Sequence, residues 1–180
     1  MIAGPVAVLA FWRQAGPDKW FKKADAFDAA IREQFLATYE AAAANRLAGW
    51  DETPEGALAL VIVLDQFPRN MFRGSARAFA ADPIARAVAD RALARGFDQA
   101  MALHDRQFFY LPFEHSEKLP DQERCCALFR ATGDAELTKW AELHADIIRR
   151  FGRFPHRNAA LGRTTTAQEQ AFLDSGGFAG

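Results

Sequence analysis

Apolar positions along this chain recur with the period of a helix, and no useful stretch alternates as a strand does. The densest stretch is Ala57 to Leu64, apolar on every side, so a helix there has no face to offer to water. Thr53-Pro54-Glu55 launches it with an N-cap, a first-turn proline and an acid at the positive helix end. Pro68 predicts its end near Phe67, because proline disfavours helix in the residue before it.

Around this segment the pattern predicts shorter amphipathic helices. Pro5 opens a first one, whose stripe Val8, Leu9 and Trp12 ends at Gly16-Pro17. A second, from near Asp25 to Leu47, sets Phe27, Ile31, Phe35 and Tyr39 on one face with Arg32 and Glu33 off it, and Gly49 closes it. Asp82-Pro83 starts a fourth, which buries Ile84, Ala85, Val88, Ala89, Ala92 and Leu93 and ends at Gly96. A fifth, from about Asp98 to Leu111, carries Phe108-Phe109-Tyr110 and breaks at Pro112. The sixth begins between Ser116 and Pro120 and ends at Gly133. Asp134 caps the seventh, whose face is Leu137, Trp140, Ala141, His144, Ile147, Ile148 and Phe151, and Gly152 stops it. Thr165 or Thr166, with Gln168 or Glu169 as capping-box partner, opens a last short helix before a Gly-rich tail.

The reading is an all-α chain of seven to eight helices, one domain over residues 1–180, with no linker long enough to divide it. Alanine-rich antiparallel pairs with short turns suit a helical-hairpin array. At 180 residues roughly 70% of the unfolded surface can be buried, and 16 Phe with 4 Trp give an aromatic-rich core or groove. A net charge of −1 supplies no field toward nucleic acid or anionic lipid, and Lys22-Lys23 is too short for a basic patch. No run approaches the ~18 residues of a membrane span, and Met1 to Trp12 lacks the Lys or Arg of a secretory signal. The adjacent Cys125 and Cys126 are expected to be reduced core thiols of a cytoplasmic protein.

Three helices end alike, in an apolar residue, a proline and then polar groups: Phe67-Pro68-Arg69-Asn70, Leu111-Pro112-Phe113-Glu114-His115-Ser116-Glu117 and Phe154-Pro155-His156-Arg157-Asn158. If successive helices alternate up and down, the ends of helices three, five and seven lie on one side. Arg69, His115 and Arg157 would then share a pocket with Asp65, Asn70, Arg73, Glu114, Glu117, Arg153, His156, Asn158 and Arg163. Guanidinium groups match carboxylate and phosphate in bidentate geometry, so this cluster predicts a site for a small anionic ligand or peptide. His115, His156 or Glu117 would be the acid/base of an alternative, a small hydrolase acting on an anionic substrate. The same residues equally suit donors for carbonyls that prolines leave open, with Asp65 and Arg69 a local ion pair. The four histidines and two cysteines show no metal-ligand spacing, and neither a nucleophile elbow nor a phosphate-cradling glycine loop is present. No metal or cofactor is expected.

Leu64-Asp65-Gln66-Phe67-Pro68-Arg69-Asn70 with Phe72-Arg73-Gly74 resembles a signature of the bacterial family of unknown function numbered 924. So do Phe108-Phe109-Tyr110-Leu111-Pro112-Phe113 with His115-Ser116-Glu117, and Arg150 through Asn158 with Leu161-Gly162-Arg163. The resemblance spans nearly the whole chain. It implies a right-handed, tetratricopeptide-like array of helical hairpins and brings no established activity. Pro120 departs from the family pattern, in which helix six continues from Ser116.

Overall fold

The computed structural model describes residues 1–178; the end of the Gly-rich tail, Ala179 and Gly180, lies outside the described residues. Among the described residues there are helices and no strand. None of the helices is long and apolar enough to cross a membrane. The chain divides into two compact units, residues 1–73 with 77–112, and residues 74–76 with 113–178.

The first unit opens with α1, Pro5–Ala15, which buries Val8, Leu9 and Trp12 as its stripe predicts. A single turn, α2, Pro17–Trp20, follows. It sends the Trp20 indole N–H to the Trp12 carbonyl at 2.7 Å. Helix α3, Asp25–Ala43, buries the expected Phe27, Ile31, Phe35 and Tyr39 but ends short of Leu47. Asn45 explains the early end. It adopts the left-handed conformation (φ 56°), its N–H returns to Ala42 O, and the Arg46 N–H returns to Ala41 O. That is a Schellman cap with asparagine in place of glycine.

Helix α4, residues 54–71, is buried along almost its whole length. Thr53 caps it as expected, its hydroxyl accepting from Gly56 N at 3.1 Å. It does not stop at Pro68. An α-helical segment, Pro54–Val61, widens into a π-helical turn, Ile62–Gln66, and returns to α-helix over Phe67–Met71. In the π-turn the Phe67 N–H bonds Ile62 O, five residues back. A proline inside a regular helix crowds the carbonyl four residues earlier. The extra residue in the wide turn shifts the register and makes room for the ring. Around α4 pack α1, α3 and α5, Asp82–Ala94. Asp82 is not the cap of α5; Ala81 holds that position without a side-chain bond, and the Asp82 carboxylate is used elsewhere.

Helix α6, Leu103–Glu114, likewise runs through its proline, Pro112, instead of breaking there. Proline's fixed φ is helical, so the last turn can close after it even though one ladder bond is missing. In the second unit α7, Leu119–Thr132, and α8, Ala135–Phe151, form a hairpin over Gly133 and Asp134. Gly133 turns left-handed (φ 77°), and Asp134 caps α8 by accepting from Glu136 N and Leu137 N at 2.9 Å each. The face of α8 is as expected except at Trp140, which is 45% exposed. Last comes α9, Ala167–Asp174, opened by the capping box of Thr166 and Glu169.

Candidate functional site

The sequence-nominated residues fall in both units. In the first, Asp65 lies on the widened turn of α4 and Arg69 one turn later, in the α-helical Phe67–Met71. Arg69 Nη1 donates to the Asp65 carbonyl at 2.7 Å and to Asp82 Oδ1 at 2.9 Å, and Nη2 donates to Asp82 Oδ2 at 3.0 Å. Burial would pull the guanidinium below its ordinary value, but the two carboxylates outweigh it and hold it above. Arg69 thus fastens α5 to α4.

Asn70 and Arg73 face a different carboxylate. Asn70 Nδ2 donates to Asp28 Oδ1 at 2.8 Å, while Arg73 grips Asp28 through Nε at 2.5 Å and Nη2 at 3.0 Å. Both side chains line an open groove of about 550 Å³ between α3 and the end of α4, together with Lys23, Asp25, Arg32 and Glu33. Asp28 is neutralised by Arg73. Among the described residues, Lys23, Arg32, Asp25 and Glu33 make no ion pair or side-chain hydrogen bond. The Arg32 guanidinium sits 5.6 Å from the Phe72 ring centroid. Among the described residues the groove therefore offers two cations and two acids that no opposite charge of the protein pairs.

In the second unit the nominated residues knit a turn together. Arg163 donates from Nε to Asn158 Oδ1 at 2.9 Å, from Nη1 and Nη2 to Glu117 at 2.7 and 3.0 Å, and from Nη2 to Phe154 O at 3.0 Å. Glu117 also accepts from Phe154 N at 2.8 Å. Burial alone would raise its carboxyl, but Arg163 and that N–H hold it below the usual range. Arg157 donates to the His115 carbonyl at 3.0 Å and lies 4.5 Å from the Phe154 ring centroid. Arg153 clamps Glu169 at 2.5 and 2.8 Å, which draws the Glu169 carboxyl down to about 2, burial opposing. His156 is half-buried, with its Nδ1 fully enclosed, and is held neutral: burial, then the nearby Arg157 and His144, push its imidazole down to about 3.

Sequence reasoning missed Asp28, Asp82, Gln122 and Glu169. Gln122 is fully buried, and its amide donates to the carbonyls of Glu114 and Ser116 at 2.5 and 2.6 Å, closing the end of α6. A carboxylate or amide far along the chain carries no local sign of the partner it will meet. Glu169 announced itself only as a capping-box residue, and Asp82 only as a helix start. Cys125 and Cys126 are buried free thiols, and burial pushes both upward, away from thiolate. Among the described residues no group of histidine, cysteine and carboxylate side chains could hold a metal ion.

Comparison with known proteins matches residues 8–177 to a bacterial protein family of unknown function, DUF924. A solved structure of a protein of unknown function, ATU0120 from Agrobacterium tumefaciens, is similar at 48% identity and a TM-score of 0.92. The match covers 95% of this chain and 97% of that one. No curated protein matches.

Proposed function

The chain belongs to the DUF924 family of bacterial proteins, and from that premise we propose that it is a helical binding module. Its ligand is a small charged molecule or peptide, held in the groove between α3 and the end of α4. The observation that carries this reading is the pair of cations without an ion pair among the described residues, Lys23 and Arg32, on a concave surface whose other arginine is already paired. A volume of about 550 Å³ lies within the usual range for small-molecule sites. Arg32 supplies planar donors for a carboxylate or phosphate. Asp25 and Glu33 beside them disfavour a bare anion and welcome an ammonium. A ligand bearing both charges, as a peptide does, answers the whole lining. The tetratricopeptide-like array belongs to this reading, and the α7–α8 hairpin is its clearest unit. A cytoplasmic location does too, on the strength of the buried free thiols.

Melting of the intact protein with the dipeptide Lys-Glu, and separately with inorganic phosphate, tests the proposal. A ligand at 100-fold over its Kd adds about 2.7 kcal/mol, enough to raise the melting temperature visibly. The dipeptide should raise it more than phosphate does, and Lys23→Ala with Arg32→Ala should cancel the rise. A melting temperature unmoved by either compound at millimolar concentration would sink the reading.

A further inference from the structure

The charges of the groove on the first unit are ordered along α3. Asp25 and Arg32 both line it, seven positions apart on that helix. Seven residues are close to two full turns, so the two positions share one stripe, about 10 Å apart along the axis. Each has a neighbour of opposite sign in the lining, Lys23 next to Asp25 and Glu33 next to Arg32. Between these two ends the lining is neutral. Ala29 is exposed there without a polar side-chain atom, Met71 is buried, and the Asp28 carboxylate is held by Arg73 and Asn70.

Two side chains mark the middle and one end. Asn70 lines the groove at 5% exposure. A carboxylate only accepts, so the amide nitrogen of Asn70 is the atom turned to Asp28, at 2.8 Å. Its Oδ1 accepts no hydrogen bond among the described residues. At one end, the Arg32 guanidinium lies 5.6 Å from the Phe72 ring centroid, within cation–π reach, and a guanidinium over a ring keeps its in-plane N–H groups for a carboxylate.

We infer that the groove takes an unblocked tripeptide, with its carboxylate on Arg32, its ammonium on Asp25 and one backbone N–H on Asn70 Oδ1. This assignment rests on the groove being a ligand site and names the class and length of the ligand. Extended chain spans at most about 3.3–3.6 Å per residue. Three residues therefore set ammonium and carboxylate about 10 Å apart, whereas two reach only about 7 Å. A free amino acid reaches one end alone. Each end holds both signs, so an ion of a single sign is attracted by one neighbour and repelled by the other. A zwitterion of the right length satisfies both ends, and Ala29 leaves room for the uncharged backbone between them.

Calorimetric titration of the intact protein with glycine, diglycine, triglycine and tetraglycine tests the assignment. Triglycine should bind about fivefold more tightly than diglycine, the weight of one exposed ion pair, and tetraglycine no more tightly than triglycine. N-acetyl-triglycine and triglycinamide should each bind about fivefold more weakly than triglycine. Asp25→Asn should erase the difference made by the acetyl group, and Arg32→Gln the difference made by the amide. Both positions are exposed, so neither substitution disturbs the core. Of the N-methylated peptides Gly-Sar-Gly and Gly-Gly-Sar, which each lack one N–H, at least one should bind more weakly than triglycine. Binding of the dipeptide Lys-Glu without any length preference among the glycine peptides would overturn the tripeptide assignment and leave the groove reading in place. An acetyl penalty that survives Asp25→Asn would do the same. Failure of Lys-Glu, phosphate and triglycine alike would overturn both.

Discussion

Gln122 shows how much one side chain decides here. Its amide reaches the carbonyls of Glu114 and Ser116 at the end of α6, where the helix can offer them no donor of its own. Leaving a buried acceptor without a partner costs about 1–3 kcal/mol. Gln122→Met keeps the volume and removes the donor, so it should lose at least that much in denaturant unfolding. A loss below about 0.5 kcal/mol, the scatter of ordinary surface substitutions, would mean that water already serves those carbonyls. A similar comparison separates the two arginines that grip carboxylates. Arg163 makes four bonds at 22% side-chain exposure, and Arg73 makes two to Asp28 at 37%. Exposed pairs contribute about 0–1 kcal/mol, so Arg163→Met should destabilise clearly more than Arg73→Met. Equal losses would show that solvent screens both alike. Of these partners, the sequence grouped Glu117 with Arg163 and Asn158, but Asp28, Asp82 and Gln122 carried no sign of the groups they meet. The sequence marks arginines after prolines as donors in need of acceptors, but the acceptors at Asp28 and Asp82 lie 45 and 13 positions from the arginines they meet.

The elements were far easier to read, because periodicity and caps are local. The stripes of α1 and α3, the Thr53 cap, the glycine stops at 133 and 152 and the capping box at Thr166 all stand where pattern places them. Both prolines misled, for a physical reason. Proline forbids one bond and crowds one carbonyl, and a chain can answer by widening a turn, as α4 does over Ile62–Gln66, or by closing one last turn, as α6 does. Asn45 misled in the other direction by ending α3 early, since its left-handed conformation looks like ordinary polar sequence. Helix α4 nevertheless carries the strongest expectation at this scale. Leu60 and Ile62 are 4% and 1% exposed. Replacing either with Asn combines a cavity of about 2–5 kcal/mol with a buried polar group of about 1–3. Each variant should lose a large part of a total stability of about 5–15 kcal/mol. A melting temperature within a degree or two of the parent would show that α4 is no core helix. The Arg69 clamp makes a second test. Arg69→Met leaves Asp65 buried without its cation, and breaking such a pair costs about 3–5 kcal/mol. Arg69→Lys should recover little, because a single ammonium cannot reproduce the paired bonds to Asp82.

For the whole molecule these local arrangements sum to an acid limb of stability that can be assigned group by group. His156 has a folded value of about 3 against an ordinary 6.5, so below pH 6.5 the unfolded chain takes up a proton that the folded one refuses. Stability therefore falls as pH drops from 6.5 toward 3, by up to about 1.4 kcal/mol per pH unit. Glu169 acts in a lower window with a different origin. Its carboxyl is drawn from 4.5 to about 2 by Arg153 and the capping bonds of Thr166, so its contribution is present above 4.5 and fades between 4.5 and 2. The two windows overlap only below pH 4.5, and unfolding in denaturant at a series of pH values can tell them apart. His156→Gln should flatten the curve between pH 6.5 and 4.5 and leave the lower limb in place. Glu169→Gln should lower stability at neutral pH, where the Arg153 clamp is lost, and flatten the curve only below pH 4.5. An intact protein whose stability does not change between pH 6.5 and 4.5 would mean that His156 is not held neutral. The packing of Phe178 and Phe154 around that imidazole would then be too open to exclude water, because burial is the largest of the causes that hold the ring neutral, ahead of Arg157 and His144.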